Sequence, residues 1–249
     1  MPESTSSSSS PDSHSHVVVL AGGVGSRFWP VSTPDRPKQL LPLAGERPLV
    51  ADTVERARAI APDRRIRIVA GERLTGALRR VLEELPEPSF MVEPRARGTG
   101  PALTWAAWEI HRVDPEAVLV SLHSDHLIEP TGTFARVIGA AARVAREHRV
   151  LVTVPVPPDR PEVGYGYVQP GEALAAPEPD RAFRIRAFHE KPDRETATRY
   201  LEEGYLWNSG IFVWRADDFL DEVRDHAPEI GRLLVHLERG EAERFFAEA

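Results

Sequence analysis

The chain has no cysteine, which rules out disulfide staples, cysteine-ligated zinc and a thiol nucleophile and leaves its redox compartment open. It has almost no lysine either: of 31 basic residues only Lys38 and Lys191 are not arginine, and Asn208 is the sole asparagine. A compact ammonium fits against one phosphate oxygen in a tight pocket where a planar guanidinium fork does not. The two lysines are therefore candidate phosphate contacts, with chance survival in an arginine-biased composition as the plain alternative. No apolar run approaches the roughly 20 residues of a membrane helix. Residues 1–16, MPESTSSSSSPDSHSH, have neither the basic start nor the apolar stretch of a secretory signal. They predict a disordered Ser-rich tail whose histidines are incidental. Together these absences predict a cytoplasmic protein with no membrane partner. The formal charge of −7 argues against a broad basic surface, and with it against general nucleic-acid binding.

What is present suits one sizeable core, since 41% of the 249 residues are hydrophobic. From Val17 onward, short β-branched runs alternate with helical periodicity. That is the pattern of an α/β fold: a Rossmann-like, mainly parallel mixed sheet flanked by helices. Strands are predicted at residues 17–21, 66–70, 90–93, 117–122 and 150–156, and helices at 48–60, 74–85, 101–111 and 134–148. After residue 156 the rhythm changes. A Gly/Pro-rich loop (157–171), a strand (183–190), a helix (195–204) and a strand (211–214) read as a second lobe on the same sheet. The expected organisation is one domain, 17–249, with residues 17–156 and 157–249 as its two parts.

Several segments carry chemistry. Gly22, Gly23 and Gly25 after the first strand let backbone N–H groups approach a phosphate or base edge without Cβ obstruction. A P-loop would need Lys-Ser/Thr directly after the last glycine, and a dinucleotide fingerprint a glycine where Phe28 stands, so neither applies. A plain turn explains the glycines but not the long loop that follows, with Arg27, Arg36 and Lys38. From Glu93 to Pro101 a strand end meets a helix start, where unpaired N–H groups face a ligand; an ordinary helix N-cap is an equal alternative. Asp125 follows an apolar strand at the carboxyl edge of the sheet, as a turn or cap residue or as the holder of a hard cation. His123 and His126 flank it without the further ligands that zinc requires. Gly164-Tyr165-Gly166-Tyr167, Glu190-Lys191-Pro192 and Trp207-Asn208-Ser209-Gly210 each have a structural reading, as hairpin, strand end and core aromatic. The second lysine and the only asparagine nevertheless fall in two of them.

The run LAGGVGSRFWP (20–30) followed by PKQLLPL (37–43) resembles the signature of the sugar-phosphate nucleotidyltransferases. Phe28-Trp29-Pro30 is similar to their mannose-1-phosphate guanylyltransferase branch rather than the glucose-1-phosphate thymidylyltransferase branch. The resemblance implies the nucleotide-diphospho-sugar transferase fold, transfer of GMP from GTP to mannose 1-phosphate, and Mg²⁺ as cofactor. It implies catalytic roles for Arg27, Lys38 and Asp125, with Asp125 as the metal ligand. Leu20, Ala21, Gly22, Gly23, Glu93, Gly98 and Thr99 would bind the nucleotide, and Gly166, Glu190, Lys191 and Asn208 the sugar phosphate. The implied partners are GTP and mannose 1-phosphate, with a homodimer as the assembly considered. The chain departs from the family in two places. Gly98-Thr99-Gly100-Pro101 stands where Asn-Thr-Ala-Pro is common, and His123-Ser124-Asp125-His126 where Pro-Ala-Asp-His is. The family also continues well past position 249, to a second metal-binding aspartate beside a Gly-Asn-Trp segment. The chain is thus expected to be C-terminally truncated relative to the family. Asp217, Asp218, Asp221 and Glu222 are expected to be solvated on an amphipathic helix rather than to replace that aspartate. The alternatives are a noncatalytic regulatory subunit that binds nucleotide-sugar, or a transferase for another hexose 1-phosphate.

Overall fold

A computed structural model describes residues 13–23, 29–33, 37–43 and 45–249. The β-branched runs form four parallel strands, β1 (Ser15–Leu20), β2 (Ile66–Gly71), β3 (Phe90–Glu93) and β4 (Val118–His123), side by side in the order β3-β2-β1-β4. Beyond β4 the sheet continues with β9 (Phe212–Arg215), antiparallel to β4, and then β5 (Val152–Thr153), antiparallel to β9. This is the Rossmann-like mixed sheet expected from the alternating pattern.

Successive side chains of β1 point to opposite faces, and both faces are covered: Val17, Val18 and Val19 are all buried. Val17 and Val19 join the core under α1 (Leu49–Arg58), α2 (Glu72–Val81) and α4 (Thr131–His148). Val18 joins the opposite core, under α3 (Thr99–His111) and α6 (Ala216–His226). That second core also takes in α7 (Pro228–Gly231), α8 (Leu234–Glu238) and α9 (Ala242–Glu248) through Ile230, Leu234, Phe245 and Phe246. No helix among the described residues is long and apolar enough to cross a membrane.

A second sheet holds β6 (Gly166–Leu174), β7 (Ala182–Glu190) and β8 (Leu206–Trp207) in the order β7-β6-β8, all antiparallel. Tyr167 of β6 packs with Ala197 and Tyr200 of α5 (Arg194–Glu202), and Tyr200 stacks on Tyr205 at 4.2 Å. This corrects the expectation of a lobe on the main sheet, to which only β9 returns. It also corrects the loop expected at 157–171. Pro170 lacks an N–H and Gly171 has no side chain, so the segment hides its strand; the ladder accommodates both through register shifts at Gln169/Pro170 and Pro170/Ala173, with the Arg184 carbonyl 2.9 Å from where a Cβ on Gly171 would stand. The strand expected at 150–156 is cut to Val152–Thr153. Past it, Val154 N–H donates to Ile211 O and Val156 N–H to Trp207 O, leading the chain from the main sheet to the small one.

The tail expected through His16 ends earlier, because Ser15 and His16 belong to β1 and are buried. Their histidines are not incidental. His14 Nδ1 and His16 Nε2 both hydrogen-bond the Asp114 carboxylate, at 2.9 and 3.1 Å. Asp217 and Asp218 are likewise not solvated: Arg215 Nη2 donates to Asp217 at 2.8 Å and Arg149 pairs with Asp218 at 2.6 Å.

The Asp114 cluster predicts an acid sensitivity. Burial holds His16 below its ordinary 6.5, with Arg65 and Arg67 adding to the effect and Asp114 opposing it. Burial raises Asp114, but the hydrogen bonds from His14 and His16 outweigh it and leave the carboxyl below 3.8. Both groups take up protons more readily in the unfolded chain, so their stabilisation is complete above 6.5 and is lost as the pH falls. Asp114→Asn removes the charge that eases protonation of His16. The stability gap between wild type and this variant should widen as the pH drops from about 8 to about 5, and narrow again below about 4. Urea unfolding at a series of pH values measures it; a gap independent of pH would rule out the coupling.

Candidate active site

The carboxyl ends of β1, β3 and β4 lie together, with Leu20 in register with His123 across β1 and β4, and Gly71 with Glu93 across β2 and β3. Ligands of such sheets gather at this edge. Beyond β1, Ala21 is tied down by its N–H on Val69 O, and Leu20 O accepts from Ser124 N–H at 3.1 Å. Gly22 and Gly23 are then exposed. A Cβ on Gly22 would stand 3.7 Å from Glu93 Oε2, and one on Gly23 3.9 Å from Lys38 Cε. The structure thus brings Leu20 to Gly23, Glu93 and Lys38 into one neighbourhood. Arg27 lies outside the described residues.

Lys38 Nζ donates to Asp125 Oδ2, across 87 residues of sequence. Burial works to raise the Asp125 pKa, but the Lys38 ammonium overrides it and holds the carboxyl below its usual range, so the group is an anion at neutral pH. Beside it the rings of His123 and His126 lie 5.1 Å apart. Burial depresses both, His126 to about 4, so both are neutral at pH 7. Among the described residues no group of three or more His, Cys, Asp or Glu side chains is arranged to hold a metal ion.

Glu93 is 6% exposed, and burial raises its pKa. Gly98 takes a φ of 84° and turns the chain into α3, with no side chain capping the first N–H groups of that helix. Gly98 and Thr99 are both exposed. This leaves the start of α3 open to a ligand, a few residues from the Glu93 carboxylate.

The four residues expected on the sugar-phosphate side also meet. Gly166 pairs with Glu190 across β6 and β7, and Asn208 N–H donates to Gly166 O at 2.8 Å. Lys191 N–H donates to Tyr165 O, and its ammonium pairs with Glu190 Oε1 at 2.8 Å. Lys191 holds a φ of 46°, a left-handed conformation that costs a side-chain-bearing residue energy and often marks a functional position. The Asn208 carboxamide oxygen accepts from Thr153 Oγ1 at 3.1 Å and from Gly210 N–H at 3.2 Å, which fixes the orientation of its amide. Gly210 closes the ring: at φ 73°, a Cβ there would lie 2.6 Å from His123 Nε2, two residues before Asp125.

Gly166 has no room for a side chain, because a Cβ would meet Glu190 Oε2 at 2.8 Å and Phe188 Cζ at 2.9 Å. If this side holds a sugar phosphate, as the resemblance implies, Gly166→Ala should raise the KM for that substrate about tenfold while the KM for the nucleotide changes less than about twofold. Steady-state kinetics with each substrate varied in turn would show this split; a larger rise for the nucleotide would contradict the assignment of this side.

Two supports escaped the sequence reading. Gln39 is 1% exposed and donates both amide N–H groups inward, to Ala21 O at 2.6 Å and Gly23 O at 2.7 Å, pinning the lysine segment to the glycine loop. Its signal was there, since Gln39 is one of only two glutamines and follows Lys38 directly. Arg56 is buried in α1 and donates to Thr53 Oγ1 and to the His126 carbonyl, bracing the turn that carries Asp125. Nothing local in the sequence distinguished it from 28 other arginines.

Residues 16–248 match the family described as Nucleotidyl transferase. The chain is 38% identical over 216 residues to the xanthan biosynthesis protein XanB of Xanthomonas campestris pv. campestris (strain B100), covering 86% of this chain and 44% of that protein. It is 36% identical over 223 residues to the mannose-1-phosphate guanylyltransferase of Escherichia coli (strain K12), covering 86% of this chain and 45% of that one. The chain thus spans under half the length of these curated relatives. The crystal structure of mannose-1-phosphate geranyltransferase from Thermus thermophilus superposes with a TM-score of 0.83 at 28% identity, covering 94% of this chain and 67% of that one. By its matched span, its glycine loop and the sheet edge on which that loop sits, the chain belongs to the nucleotidyl transferase family, close to its mannose-1-phosphate guanylyltransferase members.

Proposed function

We propose that the chain transfers GMP from GTP to mannose 1-phosphate, giving GDP-mannose and pyrophosphate. The observation that carries this reading is the Lys38–Asp125 pair at the carboxyl edge of β1 and β4, with the Glu93 loop on one side and the Gly166–Asn208 cluster on the other. The similarity to mannose-1-phosphate guanylyltransferases supports the choice of base and sugar.

A phosphate oxygen of the sugar 1-phosphate attacks the α-phosphorus of GTP. The bond from that phosphorus to the oxygen bridging to the β-phosphate breaks, and its electron pair leaves on pyrophosphate. The attacking phosphate, with a second pKa near 6, is already largely dianionic at pH 7, so no side chain has to remove a proton. The protein's work is positioning and charge neutralisation. Glu93 accepts hydrogen bonds from the guanine edge, the exposed backbone at Gly22 and Gly23 lies along the nucleotide, and Lys38 takes up charge developing on the phosphates. Lys191 binds the sugar phosphate and Glu190 accepts from sugar hydroxyls. Asn208, with its oxygen held by Thr153 and Gly210, contacts both.

A divalent cation fits the hard, ionised carboxylate of Asp125, which it would share with the Lys38 ammonium. Mg²⁺ is commonly held by one or two carboxylates with substrate phosphates and water completing its shell, so a single aspartate suffices to hold it here. Asp125 would hold the ion, whose chemistry is to draw electron density from the α-phosphate. A panel of GTP, ATP, UTP and dTTP against mannose 1-phosphate and glucose 1-phosphate tests the reading. GDP-mannose as the main product is expected; preference for another pair would overturn the assignment of base or sugar.

A further inference from the structure

Arg97 stands in the loop after Glu93, the last residue of β3, and its side chain is held by the C-terminal helix α9. Its guanidinium donates from Nε to the Phe246 carbonyl and from Nη2 to the Ala247 carbonyl, each at 2.9 Å, in the last turn of α9. Its backbone N–H works on the Glu93 carboxyl, lowering its pKa against the larger, opposite effect of burial. That carboxylate is buried and borders Gly22, and Gly98, the residue after Arg97, makes the sharp turn into α3.

The anchoring helix is firm. Phe245 and Phe246 are fully buried, and the Phe246 ring stands edge-on to Trp105 of α3 at 5.4 Å. Ile230 of α7 sits 3.3 Å from where a Cβ on Gly100 would be. The first turns of α3 are thus backed by apolar contacts, and Arg97 adds a polar strap from that backing to the loop.

We propose that Arg97 is a positioning residue for base selection: by tying the loop to α9 it fixes the Glu93 carboxylate in the one orientation that reads the nucleotide base. The inference rests on the reading of Glu93 as the base contact. A fixed acceptor discriminates because a wrong base leaves it buried and unpaired, whereas an acceptor free to swing finds a donor on several bases. The strap supplies the fixity without touching the ligand.

Equilibrium binding of GTP, ATP, UTP and CTP to the wild-type chain, Arg97→Ala and Arg97→Lys tests this independently of turnover. Wild type is expected to prefer GTP. Arg97→Ala should flatten that preference about tenfold, and Arg97→Lys, which keeps a donor and the charge, should retain more of it. A merely structural role would weaken all four nucleotides equally and leave the ratios intact, and that result overturns the inference. Should Arg97→Ala not fold, Arg97→Lys carries the same ratio test. If wild type prefers a different base, the GTP reading fails, and the Arg97 inference stands or falls on whether that other preference is flattened. A wild-type chain with no preference would overturn both.

Discussion

Lys38→Arg keeps the positive charge yet is expected to lower kcat/KM by at least about a hundredfold, the scale of losing one preorganised donor to developing charge. The Lys38 stem runs close enough to Gly23 that a Cβ there would lie 3.9 Å from Cε, and the ammonium reaches Asp125 from that position. A guanidinium is larger, planar and forked, so in this space it cannot present the same point charge to the same oxygen. Gln39 clamps the segment to the glycine loop and leaves the backbone little freedom to retreat. Lys191 provides the contrast. Its side chain is 58% exposed, and Lys191→Arg should cost less than about tenfold. Pyrophosphate release under identical conditions compares the two; Lys38→Arg within about twofold of wild type would remove Lys38 from the reaction centre.

Phe246→Ala is expected to destabilise the fold by about 3–5 kcal/mol, the range for truncating a fully buried phenylalanine. The loss combines transfer of the ring to water with the cavity left among Trp105, Phe245 and the second core cluster. Because the Phe246 carbonyl also receives Arg97, the same cavity loosens the anchor of the loop after Glu93. Urea unfolding should show the midpoint shift with an unchanged slope. Val113→Ala, at a residue 79% exposed, is expected to fall within about 0.5 kcal/mol of wild type. Equal effects at the two positions would mean that α9 does not belong to the cooperative core.

The parallel half of the main sheet was legible because burial on both faces forces near-continuous β-branched runs, as in Val17 to Val19 and Ile66 to Val69. The strand at Phe90–Glu93 was placed to the residue. β6 was hidden because Pro170 and Gly171 interrupt its pattern, and the ladder absorbs them through irregularities that only the partner strand reveals. The buried start of β1 was hidden because Ser15 and His16 are polar, and what makes them core residues is Asp114, 98 positions away from His16.

At the candidate site, rarity or motif singles out Lys38, Lys191, Asn208, Gly22, Gly23 and Gly166, and the structure gathers them into two groups. Their supports carry no such mark. Arg56 and Arg97 act through hydrogen bonds to distant backbone carbonyls, at His126 and at Phe246 and Ala247, and no local pattern marks a side chain whose partner is main chain far along the sequence. Asp217 and Asp218 differ, since their partners are side chains: Arg215 stands two residues before Asp217, whereas Arg149, 69 positions before Asp218, is brought in only by the fold.

The placing of the reaction centre at the Lys38–Asp125 pair is tested most directly by pyrophosphate release from the purified chain with Mg²⁺, GTP and mannose 1-phosphate, run beside Asp125→Asn. Asparagine preserves the shape and removes the charge that pairs with Lys38 and would hold the metal. Turnover by wild type that falls about a thousandfold in Asp125→Asn is the predicted result. Turnover unchanged by the substitution would put the chemistry elsewhere, and binding of both substrates by wild type without turnover would contradict catalysis by this chain.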